Sequence, residues 1–235
     1  MSIKAILFDL DGTLLPMDQN TFIKAYFGGL CKRLSPYGYA PEKLVDAIWK
    51  GSAAMVMNTG ERRNEELFWD AFAACLGEGI RDYKGELDAF YRDEFPTVVL
   101  SCGYDARAKE VVSLVRQRGL RAILATNPLF PGVATECRMQ RAGLAPSDFE
   151  WYTTYENSSY CKPNLAYYRE ILDTVGLSPE ECVMVGNDVE EDMIAQELGM
   201  RVFLLTDCLI NKKERDISQY PHGGFDELIA FVSTL

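Results

Sequence analysis

The sequence predicts an α/β fold, a parallel doubly wound sheet with a small helical bundle inserted into it. Three observations carry that prediction. A short apolar run over residues 5–8 stands near the N-terminus and ends in two acids, Asp9 and Asp11. Residues 17–96 then show helical periodicity throughout. From residue 97 onward helical and strand-like segments alternate, the pattern of βαβ units. The first strand belongs with the later ones, so the core is expected over 1–16 and 97–235, and the inserted bundle over 17–96.

Taken in order, the run over 5–8 is apolar at every position, as in a strand buried on both faces of a parallel sheet. After Leu15-Pro16, Asp18 or Asn20 can cap a helix to about residue 34, with Phe22, Ala25, Tyr26 and Leu30 on one stripe. Ser35-Pro36-Tyr37-Gly38 breaks it, and Pro41 opens a second helix carrying Leu44, Val45, Ile48 and Trp49. Asn58-Thr59-Gly60 is a turn. A third helix starts at Asn64 with Leu67, Phe68, Ala71 and Phe72, and a fourth spans 83–95 with Leu87, Phe90 and Tyr91. Short links between them predict an antiparallel bundle, its aromatic stripes serving as packing. Asn58, Arg62 and Arg63 read as a solvated polar cluster near its turn.

Beyond the bundle, Asp105 caps a helix ending at Gly119, with Val111, Val112, Leu114 and Val115 inward. Residues 121–125 are a strand, broken by Thr126-Asn127-Pro128. A helix over 133–142, a strand over 149–153 and a helix over 164–175 follow. Then come a strand over 182–185, a helix over 190–198, a strand over 202–205 and a last helix over 225–232. His222, the only histidine, reads as a loop residue between Pro221 and Gly223.

Composition narrows the function. Of 235 residues, 48% are hydrophobic and 25% charged, ordinary for a globular chain. The net charge of −11 argues against nucleic-acid binding over a broad basic surface. It leaves room for a small anionic substrate, because one lysine and a metal reverse the field locally. Seven cysteines without a Cys-x-x-Cys pair suggest neither a zinc site nor a complete disulfide framework. Reduced thiols in a cytoplasmic protein are the expectation. Neither a signal peptide nor an apolar run long enough to span a membrane is expected.

The chemistry gathers where strands end. In open α/β sheets ligands bind at the carboxyl ends of the strands. Two acids there, Asp9 and Asp11, could hold a divalent cation, and one could attack an electrophile. Thr126, with Asn127 beside it, could hold phosphoryl oxygens. Lys162 stands just before a helix, where a cation opposes the macrodipole, so neutralising a phosphoryl group is a reason for its position. The acids of Gly186-Asn187-Asp188-Val189-Glu190-Glu191-Asp192 follow a strand and open a helix. Capping explains Glu190 and Glu191 better than it explains Asn187-Asp188 at the strand end.

These four segments, in this order, resemble the haloacid dehalogenase-like (HAD) hydrolase superfamily, phosphatase type. Asp9-Leu10-Asp11-Gly12-Thr13 looks like its first motif, Thr126 its second, Lys162-Pro163 its third, and Gly186-Asn187-Asp188 through Asp192 its fourth. The helical insertion looks like that family's α-helical cap on a Rossmann-like core. The resemblance implies that Asp9 attacks phosphorus and that Asp11 acts as acid, then base. It implies Mg2+ held by Asp9, the Asp11 carbonyl and Asp188, with Asp192 supporting Asp188. Thr126 and Lys162 would hold the phosphoryl oxygens, and Asn127 would add to phosphate binding. The cap would close over a small phosphorylated metabolite. Asn187 is a departure, since the family usually has Asp after that glycine, with Asn187 as the fallback oxygen ligand. The acid at Asp11 favours a phosphatase or a phosphomutase, because dehalogenating relatives lack it. A non-catalytic binding protein on the same fold is the rival from another class.

Overall fold

The computed structural model describes residues 2–235. It contains a six-stranded sheet, all neighbours parallel: β1 (Ala5–Phe8), β2 (Arg121–Leu124), β3 (Trp151–Tyr152), β4 (Cys182–Gly186), β5 (Arg201–Leu205) and β6 (His222–Gly223). Their order across the sheet is β3-β2-β1-β4-β5-β6. The chain therefore runs outward from β1 to one edge, returns beside β1, and runs outward to the other, which puts a topological switch point between β1 and β4.

Strand alternation explains why β1 is apolar throughout. Ile6 and Phe8 belong to one buried cluster, Ala5 and Leu7 to the other, so helices cover both faces. The first face carries α6 (Ala106–Gln117), α7 (Gly132–Arg141) and α9 (Phe225–Ser233); the second carries α8 (Leu165–Val175). Asp105 caps α6 and Asn164 caps α8, each side chain accepting a backbone N–H.

Between β1 and β2 lie α1 (Gln19–Leu34), α2 (Pro41–Val56), α3 (Asn64–Leu76), α4 (Lys84–Asp93) and a short α5 (Phe95–Val99). Asp18 supplies the N-cap of α1, accepting from the Thr21 N–H at 2.8 Å. Phe22, Tyr26, Phe90, Tyr91 and Phe95 interlock edge to face and stacked, and Phe130 of the core joins them 5.3 Å from Tyr26. Apolar packing is thus continuous from the helical insertion into the sheet.

Three expectations are corrected. The strand expected over 149–153 is reduced to the two residues of β3. His222 lies in β6 and not in a loop, pairing beside β5. Residues 190–198 do not form an α-helix: a 3-10 helix starts at Met193. The cause is local. Asp188 Oδ1 accepts the N–H groups of Glu190 and Glu191, and the Asp192 side chain is drawn inward to Lys162. Side chains committed to the strand ends override the helical periodicity there.

Candidate active site

The register of β2, β1 and β4 sets the site. Phe8 lies opposite Leu124 on one side and Val185 on the other, so the residues that follow each strand emerge together. Asp9 N–H donates to the Val185 carbonyl at 2.9 Å, and Ala125 N–H to the Phe8 carbonyl at 2.7 Å. Asp9, Thr126 and Asn187 are consequently neighbours at the carboxyl edge. After Asp9 the chain turns, with Leu15 N–H on the Leu10 carbonyl. Gly12 makes that turn at φ +88°, and a Cβ there would meet the Asn187 amide at 2.3 Å, so position 12 excludes any side chain.

Asp9 is buried, with both carboxylate oxygens engaged. Lys162 Nζ donates to Oδ1 at 2.8 Å and Thr13 Oγ1 to Oδ2 at 3.0 Å. Lys162 is itself buried and bonds Asp192 Oδ1 at 2.6 Å on its other side. Burial alone would lower the Lys162 pKa, but Asp192 and Asp9 outweigh it and hold the ammonium well above its ordinary value. Burial, opposed by Lys162 and reinforced by Asp9, pushes the Asp192 carboxyl up. Asp192 Oδ2 also accepts the Asp188 N–H at 3.0 Å, fixing the backbone of that residue. A Cβ at Gly186 would lie 2.1 Å from that same oxygen, so the glycine makes room for the carboxylate.

Asp11 sits in a different environment. One of its oxygens, Oδ2, is held by Arg138 Nη1, while Oδ1 has no hydrogen-bond partner among the described residues. Desolvation raises its pKa, Arg138 counteracts, and the charge of Asp9 adds to the rise. Arg138 is completely buried. It also donates to the Ala134 carbonyl and Thr135 Oγ1, and its guanidinium lies over the Phe130 ring at 4.6 Å. Its role was not read from the sequence, although a signal existed: Arg138 stands four residues from Ala134 and four from Ala142, on the buried stripe of α7. An arginine on an apolar stripe requires a buried anion.

Thr126 is buried, and its carbonyl accepts from Thr153 Oγ1 at 2.6 Å and the Tyr167 hydroxyl at 2.8 Å, which fixes the strand end. Asn127 bridges two segments, donating to Glu191 Oε2 at 3.1 Å and accepting the Lys162 N–H at 3.3 Å. Glu191, read above as a helix cap, instead lines the site, and desolvation raises its pKa. Asn187 is tied at both ends, its Oδ1 sharing the Thr13 hydroxyl with Asp9 at 3.0 Å and its Nδ2 donating to the Cys208 carbonyl at 2.6 Å. Asp188 uses Oδ1 alone in hydrogen bonds among the described residues.

These groups form the floor of a cavity of about 480 Å³ whose walls come from the helical insertion. Carboxylates dominate the floor: Asp9, Asp11, Asp188, Glu191 and Asp192 line it, against Lys212 in the lining and Lys162 and Arg138 bonded beneath. That excess of negative oxygen suits a hard divalent cation. Among the described residues no three His, Cys, Asp or Glu side chains converge as a cluster. A cation here would therefore take two carboxylates, Asp9 and Asp188, and complete its shell with the Asp11 carbonyl, water and substrate oxygen. Mg2+, which keeps several waters, fits such a set.

The polar turn at the start of α3 ties the insertion to this edge of the core. Asn58 is buried and donates to Asn64 Oδ1 at 2.8 Å. Asn64 N–H donates to the Ser158 carbonyl at 2.9 Å. Arg63 reaches Ser159, the Asn157 carbonyl and Glu170, whereas Arg62 pairs with Glu66 and Asp70 at the surface. The expected solvated cluster holds for Arg62 and Arg63, whose side chains are exposed, but not for the buried Asn58. Among the described residues, no helix is long and apolar enough to cross a membrane.

Comparison with known proteins agrees with this architecture. A family model described as haloacid dehalogenase-like hydrolase matches residues 3–198. A glyceraldehyde 3-phosphate phosphatase of Methanocaldococcus jannaschii is 32% identical over 100 residues, which cover 42% of this chain and 43% of that protein. A HAD phosphatase from Thermococcus onnurineus superposes with a TM-score of 0.61 at 17% identity, covering 98% of each chain. A 2-haloacid dehalogenase from Pseudomonas syringae pv. Tomato gives 0.64 at 17% identity, covering 99% of this chain and 98% of that one. Both structural likenesses concern the fold.

Proposed function

The chain belongs to the haloacid dehalogenase-like hydrolases, and we propose that it is a Mg2+-dependent phosphatase acting on a small phosphorylated metabolite through a phosphorylated Asp9. One observation carries the reading: two carboxylates at one strand end are each held by a different buried cation, and one oxygen of Asp11 is left unpaired among the described residues. Asp9 is held by Lys162 and Thr13, while Asp11 has a raised pKa, one oxygen fixed by Arg138 and the other without a partner. Two acids held by different partners can divide nucleophilic and acid chemistry between them. A dehalogenase has no leaving oxygen to protonate, so the second acid favours a phosphate ester. The partial match to a glyceraldehyde 3-phosphate phosphatase points the same way.

In the proposed sequence Asp9 attacks phosphorus and the ester P–O bond breaks, while the Asp11 proton passes to the departing alkoxide. Water then attacks the phosphorus on Asp9, Asp11 takes the proton of that water, and inorganic phosphate leaves with Asp9 restored. Lys162 neutralises charge next to the nucleophile, and Thr126 and Asn127 bind phosphoryl oxygens at the neighbouring strand end. Bound at Asp9, the Asp11 carbonyl and Asp188, Mg2+ would supply the positive charge that lets a carboxylate approach a phosphate.

The test is release of inorganic phosphate from a panel of phosphomonoesters, with Mg2+ and after EDTA. We expect turnover with Mg2+, its loss in EDTA, and a fall of about 10^4-fold in Asp9→Asn. Sustained turnover in metal-free buffer contradicts the metal requirement. Conversion of a sugar 1-phosphate to its 6-phosphate without free phosphate would identify a mutase instead.

A further inference from the structure

The cavity above the floor has a chemistry of its own. Its outer walls are built by the inserted helices, which contribute Phe22, Phe27, Trp49, Phe68 and Trp69 among other apolar side chains. The non-aromatic polar side chains those helices add are Gln19, Ser52 and Asp88. Tyr26 and Tyr91 also line it, their hydroxyls bonded to each other at 2.8 Å. Phe130, Leu129 and Pro131 extend the apolar surface from the core side. The cavity thus grades from a charged floor, where a phosphate belongs, to an aromatic wall.

Resting on the phosphatase reading above, we infer that the substrate is a phosphomonoester whose alcohol carries an aromatic ring, seated between the rings of α1, α2 and α3. A polyol such as a sugar phosphate would give up hydration of its hydroxyls to a wall with few partners for them, which is unfavourable. A three-carbon phosphate would leave most of the wall in contact with water. The volume of about 480 Å³ lies in the range that encloses a drug-sized ligand. An aromatic group offers flat apolar area plus edge and face contacts, the geometry the wall already uses: Trp49 meets Phe27 edge to face at 5.5 Å. Trp49 is also half-exposed, at 51%, so part of its surface is free for a further ring.

The test compares two alkyl phosphates with leaving groups of the same kind, 2-(1-naphthyl)ethyl phosphate and glycerol 3-phosphate, by kcat/KM for phosphate release. Matching the leaving groups removes differences in intrinsic reactivity. We expect a preference of about tenfold or more for the naphthyl ester, expressed mainly in KM. Trp49→Ala, which truncates an exposed side chain, should narrow that preference by about fivefold. Equal or reversed rates on the two esters overturn this inference and leave the phosphatase reading intact. A preference that Trp49→Ala leaves unchanged also overturns it, because the ring then sits elsewhere. Failure to release phosphate from either ester, with Mg2+ present, overturns the phosphatase reading and this inference with it.

Discussion

Arg138 is the residue whose role was hidden in the sequence and is plainest in the structure. It is fully buried and grips one oxygen of Asp11, while the other oxygen is buried without a hydrogen-bond partner among the described residues. If it positions that acid, its removal matters only when the leaving group needs a proton. Arg138→Met should lower kcat for an alkyl phosphate by roughly 10^2-fold, a typical share of general acid catalysis, and change 4-nitrophenyl phosphate hydrolysis little. Equal losses on both esters would assign it to folding alone. The neighbouring pair Asn187 and Asp188 is a second residue-scale question. The Asn187 amide oxygen shares the Thr13 hydroxyl with Asp9, whereas Asp188 keeps an oxygen outside its hydrogen bonds among the described residues. An anionic oxygen is also the stronger partner for Mg2+. Asp188→Ala should therefore raise the Mg2+ concentration for half-maximal rate far more than Asn187→Ala does, measured by metal titration of the rate. The reverse order would shift the metal site by one residue. Asp9, Asp11, Lys162 and Asp188 were legible because strand ends, glycines and unpaired charges stand out along a chain. Arg138 and Glu191 were not, since their meaning depends on partners 127 and 64 residues away.

At the scale of elements, the link between α6 and the edge strand β3 depends on one buried acid. Asp148 accepts Lys109 Nζ at 2.6 Å, Arg116 Nη1 at 3.1 Å and the Ala145 N–H at 2.8 Å. Burial opposes its ionisation, but these donors prevail and hold its pKa below the usual carboxylate value. A carboxyl depressed on folding stabilises above its unfolded pKa, near 3.9, and that contribution is lost as pH falls through the folded value. Asp148→Asn should cost about 2 kcal/mol at pH 7, by urea denaturation, and progressively less as pH falls below the unfolded carboxylate value and through the folded one. A pH-independent difference would mean that packing and not charge is responsible. Element boundaries were readable where a cap or a glycine marks them, as with Asp18, Asp105 and Asn164. They failed over 190–198, where Asp188 and Asp192 serve the strand ends and prevent the α-helix that periodicity alone predicts.

For the whole molecule, the alternation of strands and helices was enough to anticipate a parallel sheet covered on both faces, because period and length are local properties. Two features lay beyond that pattern. The edge pairing of β6 involves only two residues and has no periodicity to read. The cavity is assembled from aromatic stripes that, taken helix by helix, are indistinguishable from core packing. The central claim nevertheless concerns one bond: a phosphoryl group passes through Asp9 on its way to water. In Asp11→Asn the second step lacks its base, while a good leaving group still permits the first. The decisive measurement is mass spectrometry of Asp11→Asn, acid-quenched within the first turnovers of 4-nitrophenyl phosphate with Mg2+ and digested. The account predicts a phosphoryl adduct on the peptide containing Asp9, and its disappearance when Asp9 is also replaced by Asn. Release of 4-nitrophenol and phosphate with no adduct on Asp9 at any quench time would contradict it.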